Sequence, residues 1–159
     1  MNDIAAEIVE IMRKKKLTLG TVESATGGLI AHLITEVPGS SDVFQGSIVS
    51  YSNEIKMKLT GVQKTTLDKY GAVSSQVAAE MAAGGRKALG VDVSVADTGI
   101  AGPGGATQGK PVGLFYLGLS TKDGTDTQKQ LFNGARAENK QQASQTALLC
   151  ILDYLNKLP

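Results

Sequence analysis

The sequence predicts an α/β protein, a three-layer α/β/α fold built on a mixed sheet. Helix-period and strand-period segments alternate along the early part of the chain, the pattern of strands joined by helical crossovers; a hairpin pattern then adds antiparallel strands, and an amphipathic helix closes the chain. No repeat, low-complexity tract or linker interrupts the 159 residues. One domain over residues 1–159 is expected, long enough to bury roughly 68–70% of its unfolded surface.

Residues 2–15 read as an amphipathic helix with apolar side chains at 4, 5, 8, 9 and 12. The cationic run Arg13 to Lys16 closes it, where positive charge complements the helix dipole. Leu17 to Val22 reads as a short strand delivering the chain to Glu23-Ser24-Ala25-Thr26-Gly27-Gly28. A second helix has apolar positions 29, 30, 33 and 34 and stops at Val37-Pro38-Gly39-Ser40-Ser41. Val43 to Tyr51 reads as a strand. Ser52 or Asn53 caps a short helix to about Leu59 that Gly61 ends, and Thr65 to Tyr70 forms another before Gly71. Ser74 caps a long helix to about Leu89. Val91, Val93 and Val95 alternate with Asp92, Ser94 and Ala96, which predicts a half-buried strand with Val on one face. That strand runs into a glycine loop over 99–113. Val112 to Leu119 is nearly all apolar and suits a central strand covered on both sides; Thr127 to Phe132 pairs with it across Lys122-Asp123-Gly124 as a hairpin. The last helix puts Ala147, Leu148, Ile151, Leu155 and Leu158 on one face.

Composition removes several function classes. With 16 basic and 15 acidic side chains the formal charge is +1, and no basic face is interleaved with aromatics, so nucleic acid is not an expected partner. No segment approaches the ~20 apolar residues of a membrane span, and the charged N-terminal helix is unlike a signal peptide, so a cytoplasmic protein is expected. One Cys excludes a disulfide within the monomer, and one Cys with one His excludes a Cys/His zinc cage; no metal or cofactor is expected. His32 is the only imidazole available to a Ser-His or Cys-His hydrolase, and it reads as structural, as Cys150 reads as a buried inert thiol.

The positive oddity is glycine, 19 of 159 residues, six of them between 99 and 113. Gly104, Gly109 and Lys110 satisfy the G-x-x-x-x-G-K part of a P-loop. The match fails because Pro111 stands where Ser or Thr should bind magnesium and because a strand follows where the motif requires a helix. A dinucleotide fingerprint fails because Gly102 and Gly104 are not followed by a glycine at 107. What remains is a loop whose backbone amides can approach an anionic ligand, or a long connection of no further role.

Two polar clusters carry candidate chemistry. Ser24 stands where a strand hands over to a helix opening with Gly27-Gly28, so its hydroxyl either faces a pocket lined by free helix N–H groups or, like Thr26, caps the helix. Glu23 is a poor base for Ser24, since neighbours on an extended chain point to opposite faces. In Tyr51-Ser52-Asn53-Glu54-Ile55-Lys56, Tyr51 ends a strand and Lys56 lies about one turn into a helix, so both can face one crevice. A Lys desolvated there can lose its proton and serve a serine as base, with Tyr relaying or donating a proton. The alternative makes Lys56 and Lys58 surface lysines and Tyr51 a cover on the core.

These segments, in this order, resemble the C-terminal domain of the CinA family, the competence/damage-inducible proteins, also found alone as nicotinamide-nucleotide amidase. The carriers are Glu23 to Gly28; Val37 to Ser41 with Phe44; Tyr51 to Glu54 with Lys56; Gly71-Ala72-Val73-Ser74; Gly99 to Gly105; and Lys110-Pro111-Val112-Gly113. The resemblance implies a three-layer α/β fold, hydrolysis of nicotinamide mononucleotide to nicotinate mononucleotide and ammonia, and a catalytic group of Ser24, Tyr51 and Lys56. Two positions depart from the family: Ala25 replaces a residue often Cys, and of the two usual arginines the first is matched by Arg136 while Lys140 holds the place of the second, losing the bidentate fork for phosphate. Substrate contacts are expected from Thr26, Gly27, Gly28, Asn53, Gly99, Ala101, Gly102, Gly104, Gly105, Lys110 and Arg136, with amides near Thr26 to Gly28 as oxyanion donors and the phosphate on the glycine loop beside Arg136 or Lys110. A homo-oligomer is expected. The rival reading is a non-catalytic nucleotide-sensing or protein-interaction module connected with competence or DNA damage.

Overall fold

The computed structural model describes residues 2–159, so Met1, the first residue of the expected domain, lies outside it. The order along the chain is α1 (Asn2–Lys15), β1 (Leu19–Glu23), α2 (Leu29–Thr35), β2 (Phe44–Val49), α3 (Asn53–Thr60), α4 (Lys64–Tyr70), α5 (Ser75–Leu89), β3 (Val93–Gly99), β4 (Leu114–Thr121), β5 (Gly124–Leu131) and α6 (Arg136–Asn156). Five strands form one sheet in the order β2-β1-β3-β4-β5. β1 runs parallel to β2 and β3, and β3, β4 and β5 are antiparallel in sequence, which makes the sheet mixed as the alternation predicts.

Helices cover both faces. On one, Ile8 and Met12 of α1, Ile30 and Ile34 of α2, and Leu148 and Ile151 of α6 pack on Leu19, Val93, Val95 and Leu117 of the sheet. On the other, Val77, Met81 and Ala82 of α5 pack on Val22 and Ala96. The alternation of side chains along a strand therefore sends Leu19, Thr21 and Glu23 toward α2 and Val22 toward α5. Helix starts and stops follow the expected chemistry. Ser52 accepts from the Ile55 N–H at 3.2 Å and Ser74 from the Val77 N–H at 3.2 Å, while Gly61 and Gly90 end α3 and α5 in the left-handed conformation.

Several expectations change. β3 is not half-buried: every residue from Val93 to Thr98 is buried, because β3 lies between β1 and β4 with α6 on one face and α5 on the other. Its second face is readable in hindsight as Ser94 and Ala96, small enough to let α5 approach. Elsewhere β1 begins at Leu19 and ends on Glu23, β2 stops at Val49 before Tyr51, and Leu158 lies beyond the end of α6. The hairpin partner of β4 begins immediately after a two-residue turn, with Thr121 paired to Gly124, so β5 starts earlier than the apolar pattern indicates.

The close approach of α5 depends on missing side chains. A Cβ at Gly118 of β4 would collide with the Ala78 carbonyl of α5, whereas one at Gly104 would meet nothing within 4 Å. Gly118→Ala is expected to destabilise the fold by about 1–3 kcal/mol, the usual cost of overpacking, while Gly104→Ala leaves it unchanged; the urea midpoints of the two variants check this.

Candidate active site

The site lies at the carboxyl ends of β1 and β3, where an α/β sheet presents its loops. Ser24 follows the last residue of β1 and is 7% exposed. Ser52 begins α3, so Lys56 stands one turn in, and its side chain, directed toward the helix N-terminus, returns to the end of β2. There it is 2% exposed. The Lys56 amine lies 3.0 Å from Ser24 Oγ, 2.9 Å from the Ser50 carbonyl oxygen and 3.0 Å from the Tyr51 carbonyl oxygen.

Those partners constrain the proton inventory. Carbonyl oxygens can only accept, so a neutral Lys56 amine spends its two N–H bonds on Ser50 and Tyr51. Its lone pair then faces Ser24, whose hydroxyl can donate. Burial pushes the Lys56 pKa below its ordinary 10.5 by penalising the ammonium, and the Asp97 carboxylate opposes that shift.

A cavity of about 290 Å³ opens over this pair. Of the expected site residues, Ser24, Tyr51, Lys56, Asn53, Gly99, Ala101, Gly102, Gly104, Gly105 and Arg136 line it. Ala25, Ala72, Val73, Thr98 and Ile100 complete the wall and were not anticipated. Arg136, in the first turn of α6, donates to the Gly102 carbonyl at 2.7 Å and to the Tyr51 hydroxyl at 3.3 Å, tying the glycine loop to the β2–α3 junction.

Four expected contact residues and one expected role meet different surroundings from those anticipated. Lys110 turns away from the cavity and donates to the Tyr70 carbonyl, because residues 107 and 110 bridge to each other and fold that end of the loop back. Thr26, Gly27 and Gly28 do not line the cavity, and the helix N–H groups there are not free. The Glu23 carboxylate accepts from the N–H groups of Gly28 at 3.0 Å, Ile30 at 2.9 Å and Ala31 at 2.9 Å, while the Gly27 N–H donates to the Ser24 carbonyl. Glu23 thus caps α2, a duty expected of Ser24 or Thr26, and Gly28 at the cap position uses no side chain. Tyr51 meets Lys56 through its carbonyl; the residue is 63% exposed and its hydroxyl partner is Arg136, not Ser24 or Lys56.

Behind Ser24 lies Asp97, which is fully buried. It accepts from the N–H of Ser24 at 3.0 Å and of Thr26 at 3.2 Å. Burial, more than any other influence, raises its pKa from 3.8 to about 6, against the pull of the hydrogen bonds from Thr26 and Ser24. Only its position after Ala96 on a strand next to β1 could have signalled this, and that needs the strand order. Among the described residues no group of three or more His, Cys, Asp or Glu is placed to hold a metal ion, and no helix is long and apolar enough to cross a membrane. His32 is exposed beside Glu36, and burial pushes the Cys150 thiol up to about 11, away from the reactive range.

A family model for the CinA C-terminal domain matches residues 1–155. The chain belongs to the CinA C-terminal domain family. It is 46% identical over 156 residues to a CinA-like protein of Leptospira borgpetersenii, covering 98% of this chain and 37% of that protein. With a CinA-like protein of Fusobacterium nucleatum it shares 49% identity over 144 residues, 91% of this chain and 35% of that one. The chain therefore spans about a third of the length of the curated relatives it matches. Among solved structures, the competence/damage inducible protein CihA of Agrobacterium tumefaciens superposes with a TM-score of 0.94 at 38% identity, covering 98% of this chain and 95% of that one. A CinA superfamily protein of Escherichia coli gives 0.92 at 30% identity, with 95% and 88% covered. These likenesses extend over the loops that carry Ser24 and Lys56 in this CinA domain.

The raised Asp97 pKa carries a stability consequence. Between about pH 4 and 6 Asp97 in the folded CinA domain holds a proton that it has released in the unfolded chain, so its own contribution to stability is lost as pH rises through that window, on the order of 3 kcal/mol. Asp97→Asn is expected to flatten this slope; urea unfolding at pH values spanning the window reads it.

Proposed function

We propose that this domain hydrolyses the carboxamide of nicotinamide mononucleotide to nicotinate mononucleotide and ammonia, with Ser24 as nucleophile and Lys56 as its base. The observation that carries this reading is the 3.0 Å contact between a buried Lys56 amine and Ser24 Oγ, with carbonyl oxygens as the other partners of the amine. An unactivated carboxamide needs a strong nucleophile, a proton for the departing nitrogen and a donor for the tetrahedral oxyanion. In this reading Lys56 takes the Ser24 proton as Oγ bonds to the carboxamide carbon. The Lys56 ammonium then returns the proton to nitrogen as the C–N bond breaks and ammonia leaves. Water, deprotonated by Lys56, cleaves the resulting ester, and Ser24 recovers its proton.

The oxyanion donor differs from the one expected. Ala25 lines the cavity, and its N–H has no partner among the described residues, whereas the amides of Thr26, Gly27 and Gly28 are engaged by Asp97, Ser24 and Glu23. The 5′-phosphate is assigned to Arg136 and Lys140 in place of Lys110. These cations stand one turn apart at the start of α6, and a second hollow lined by Leu29, Arg136, Ala137, Lys140 and Gln141 shares Arg136 with the main cavity. Tyr51 serves as a wall against which the substrate ring lies, tied by its hydroxyl to Arg136.

The test is ammonia release from nicotinamide mononucleotide without added metal. Ser24→Ala abolishes it. Lys56→Arg, which keeps the charge but cannot deprotonate, lowers kcat by about 10²–10⁴-fold at every pH. For the wild type, kcat/KM rises with pH as Lys56 loses its proton. Binding of the nucleotide by calorimetry with no product would select the non-catalytic module instead.

The wall role of Tyr51 separates from a proton-relay role by one variant. Tyr51→Phe is expected to keep kcat within about threefold, since no proton passes through the hydroxyl, and to raise KM modestly through the lost Arg136 contact; steady-state kinetics read both.

A further inference from the structure

The hydroxyl of Thr26 poses a counting problem. Thr26 Oγ1 lies 2.7 Å from Glu23 Oε1 and 2.5 Å from Asp97 Oδ1, yet a hydroxyl carries one proton and can donate to one of them. Two ionised carboxylates would leave one contact between lone pairs. All three side chains are buried, so water cannot relieve it. One carboxyl therefore carries a proton and donates it to Thr26.

Donor geometry locates that proton. Glu23 Oε1, the oxygen that meets Thr26, already accepts from the N–H groups of Gly28 and Ile30 and so has no place for a proton of its own, while Oε2 accepts from the Ala31 N–H and from the Thr21–Ser47 hydroxyl pair. Asp97 receives fewer donors, the N–H groups of Ser24 and Thr26. Strand register adds the reason for a shared proton at all. One step past the Val22–Ala96 pair of β1 and β3, Glu23 and Asp97 stand opposite each other on the face beneath α2, where two like charges destabilise the sheet.

We propose that Asp97 is a positioning residue for the Ser24–Lys56 pair that works in its protonated form: it holds the Ser24 and Thr26 amides, donates through Thr26 to Glu23, and by remaining neutral leaves Lys56 free to exist as the amine. Asp97 and Lys56 then compete for one proton. When Asp97 ionises, the bridge to Glu23 breaks and its charge draws the proton onto Lys56, where it blocks the base. The charged and titratable surroundings of Asp97 are few. β1 presents Glu23 and α3 presents Lys56; β4 pairs Leu117 with Asp97; α5 packs on Val22 and Ala96 of the opposite face; and the buried α6 residues Asn139, Ala143 and Ser144 are neutral. Lys140 of α6 lies farther out, beside Gly27.

The proposal rests on the reading of Ser24 and Lys56 as the reacting pair, so its test has one arm without substrate. In the full chain, carbon NMR of the Asp97 carboxyl and of the Lys56 ε-carbon is followed through a pH titration, in the wild type and in Asp97→Asn, whose amide imitates the protonated acid. Asp97 is expected to titrate well above an ordinary carboxylate, with a linked response at Lys56, and Asp97→Asn moves the Lys56 midpoint down by about one pH unit. In the activity arm, Asp97→Asn keeps the plateau kcat/KM within about tenfold and shifts its acid limb down by the same amount. A merely structural Asp97 would change the plateau and leave the midpoint and limb where they were. An Asp97 that titrates as an ordinary carboxylate, or a Lys56 midpoint unmoved in Asp97→Asn, overturns the proposal. Linked titration in a protein that releases no ammonia from the nucleotide upholds the proton sharing and overturns the substrate.

Discussion

The burial of the Lys56 amine is the constraint around which the rest of this site is arranged. An ammonium sealed beneath a cavity wall costs several kcal/mol in lost hydration unless acceptors surround it or it gives up its proton. The structure offers two carbonyls and one hydroxyl, a set that satisfies either state but turns the lone pair of the neutral amine onto the hydroxyl. That arrangement requires β2 to end before Tyr51, so that the Ser50 and Tyr51 carbonyls leave the ladder. It also requires α3 to begin at the Ser52 cap, so that Lys56 returns over them. Ser24 must arrive from β1 at the same height. The β1–β2 register provides this through the Ser50 N–H bond to the Glu23 carbonyl.

A second layer supports the first. Glu23 and Asp97 hold between them the amides of Ser24, Thr26, Gly28, Ile30 and Ala31, so the turn that presents Ser24 is fixed by carboxyl groups rather than by its own glycines. Removing either carboxyl would leave buried donors unsatisfied, a loss of roughly 1–3 kcal/mol for each amide. The glycines at 27 and 28 serve the backbone instead, both with positive φ, which lets the chain leave β1 and enter α2 within five residues. Arg136 performs a comparable task across the cavity, joining the glycine loop to Tyr51.

Local signals carried most of this into the sequence reading. Caps at Ser52 and Ser74, the apolar run of β4 and the turn at Lys122-Asp123 act within a few residues, and each element they mark is present. The same locality suggested that Tyr51 and Lys56 could face one crevice, one at a strand end and one a turn beyond it, but joining them to Ser24 came from the resemblance to the CinA family. What the sequence could not convey depends on strand order and register. Asp97 is an unremarked strand residue until β3 is placed beside β1; then it faces Glu23. Lys110 misled because proximity in sequence to a glycine loop says nothing about which way the loop turns, and the bridge between residues 107 and 110 turns it toward Tyr70. The scarcity of His and Cys, at first only an exclusion of common triads and zinc cages, agrees with a site whose candidate base is an amine.

Covalent attack by Ser24 is the central claim, and partitioning with hydroxylamine tests it most directly. Turnover of nicotinamide mononucleotide in the presence of hydroxylamine should divert the ester on Ser24 to the hydroxamate of nicotinate mononucleotide. The acid product then falls while ammonia release continues, and no hydroxamate forms with Ser24→Ala. Undiminished acid and no hydroxamate, with ammonia still released, would contradict the account.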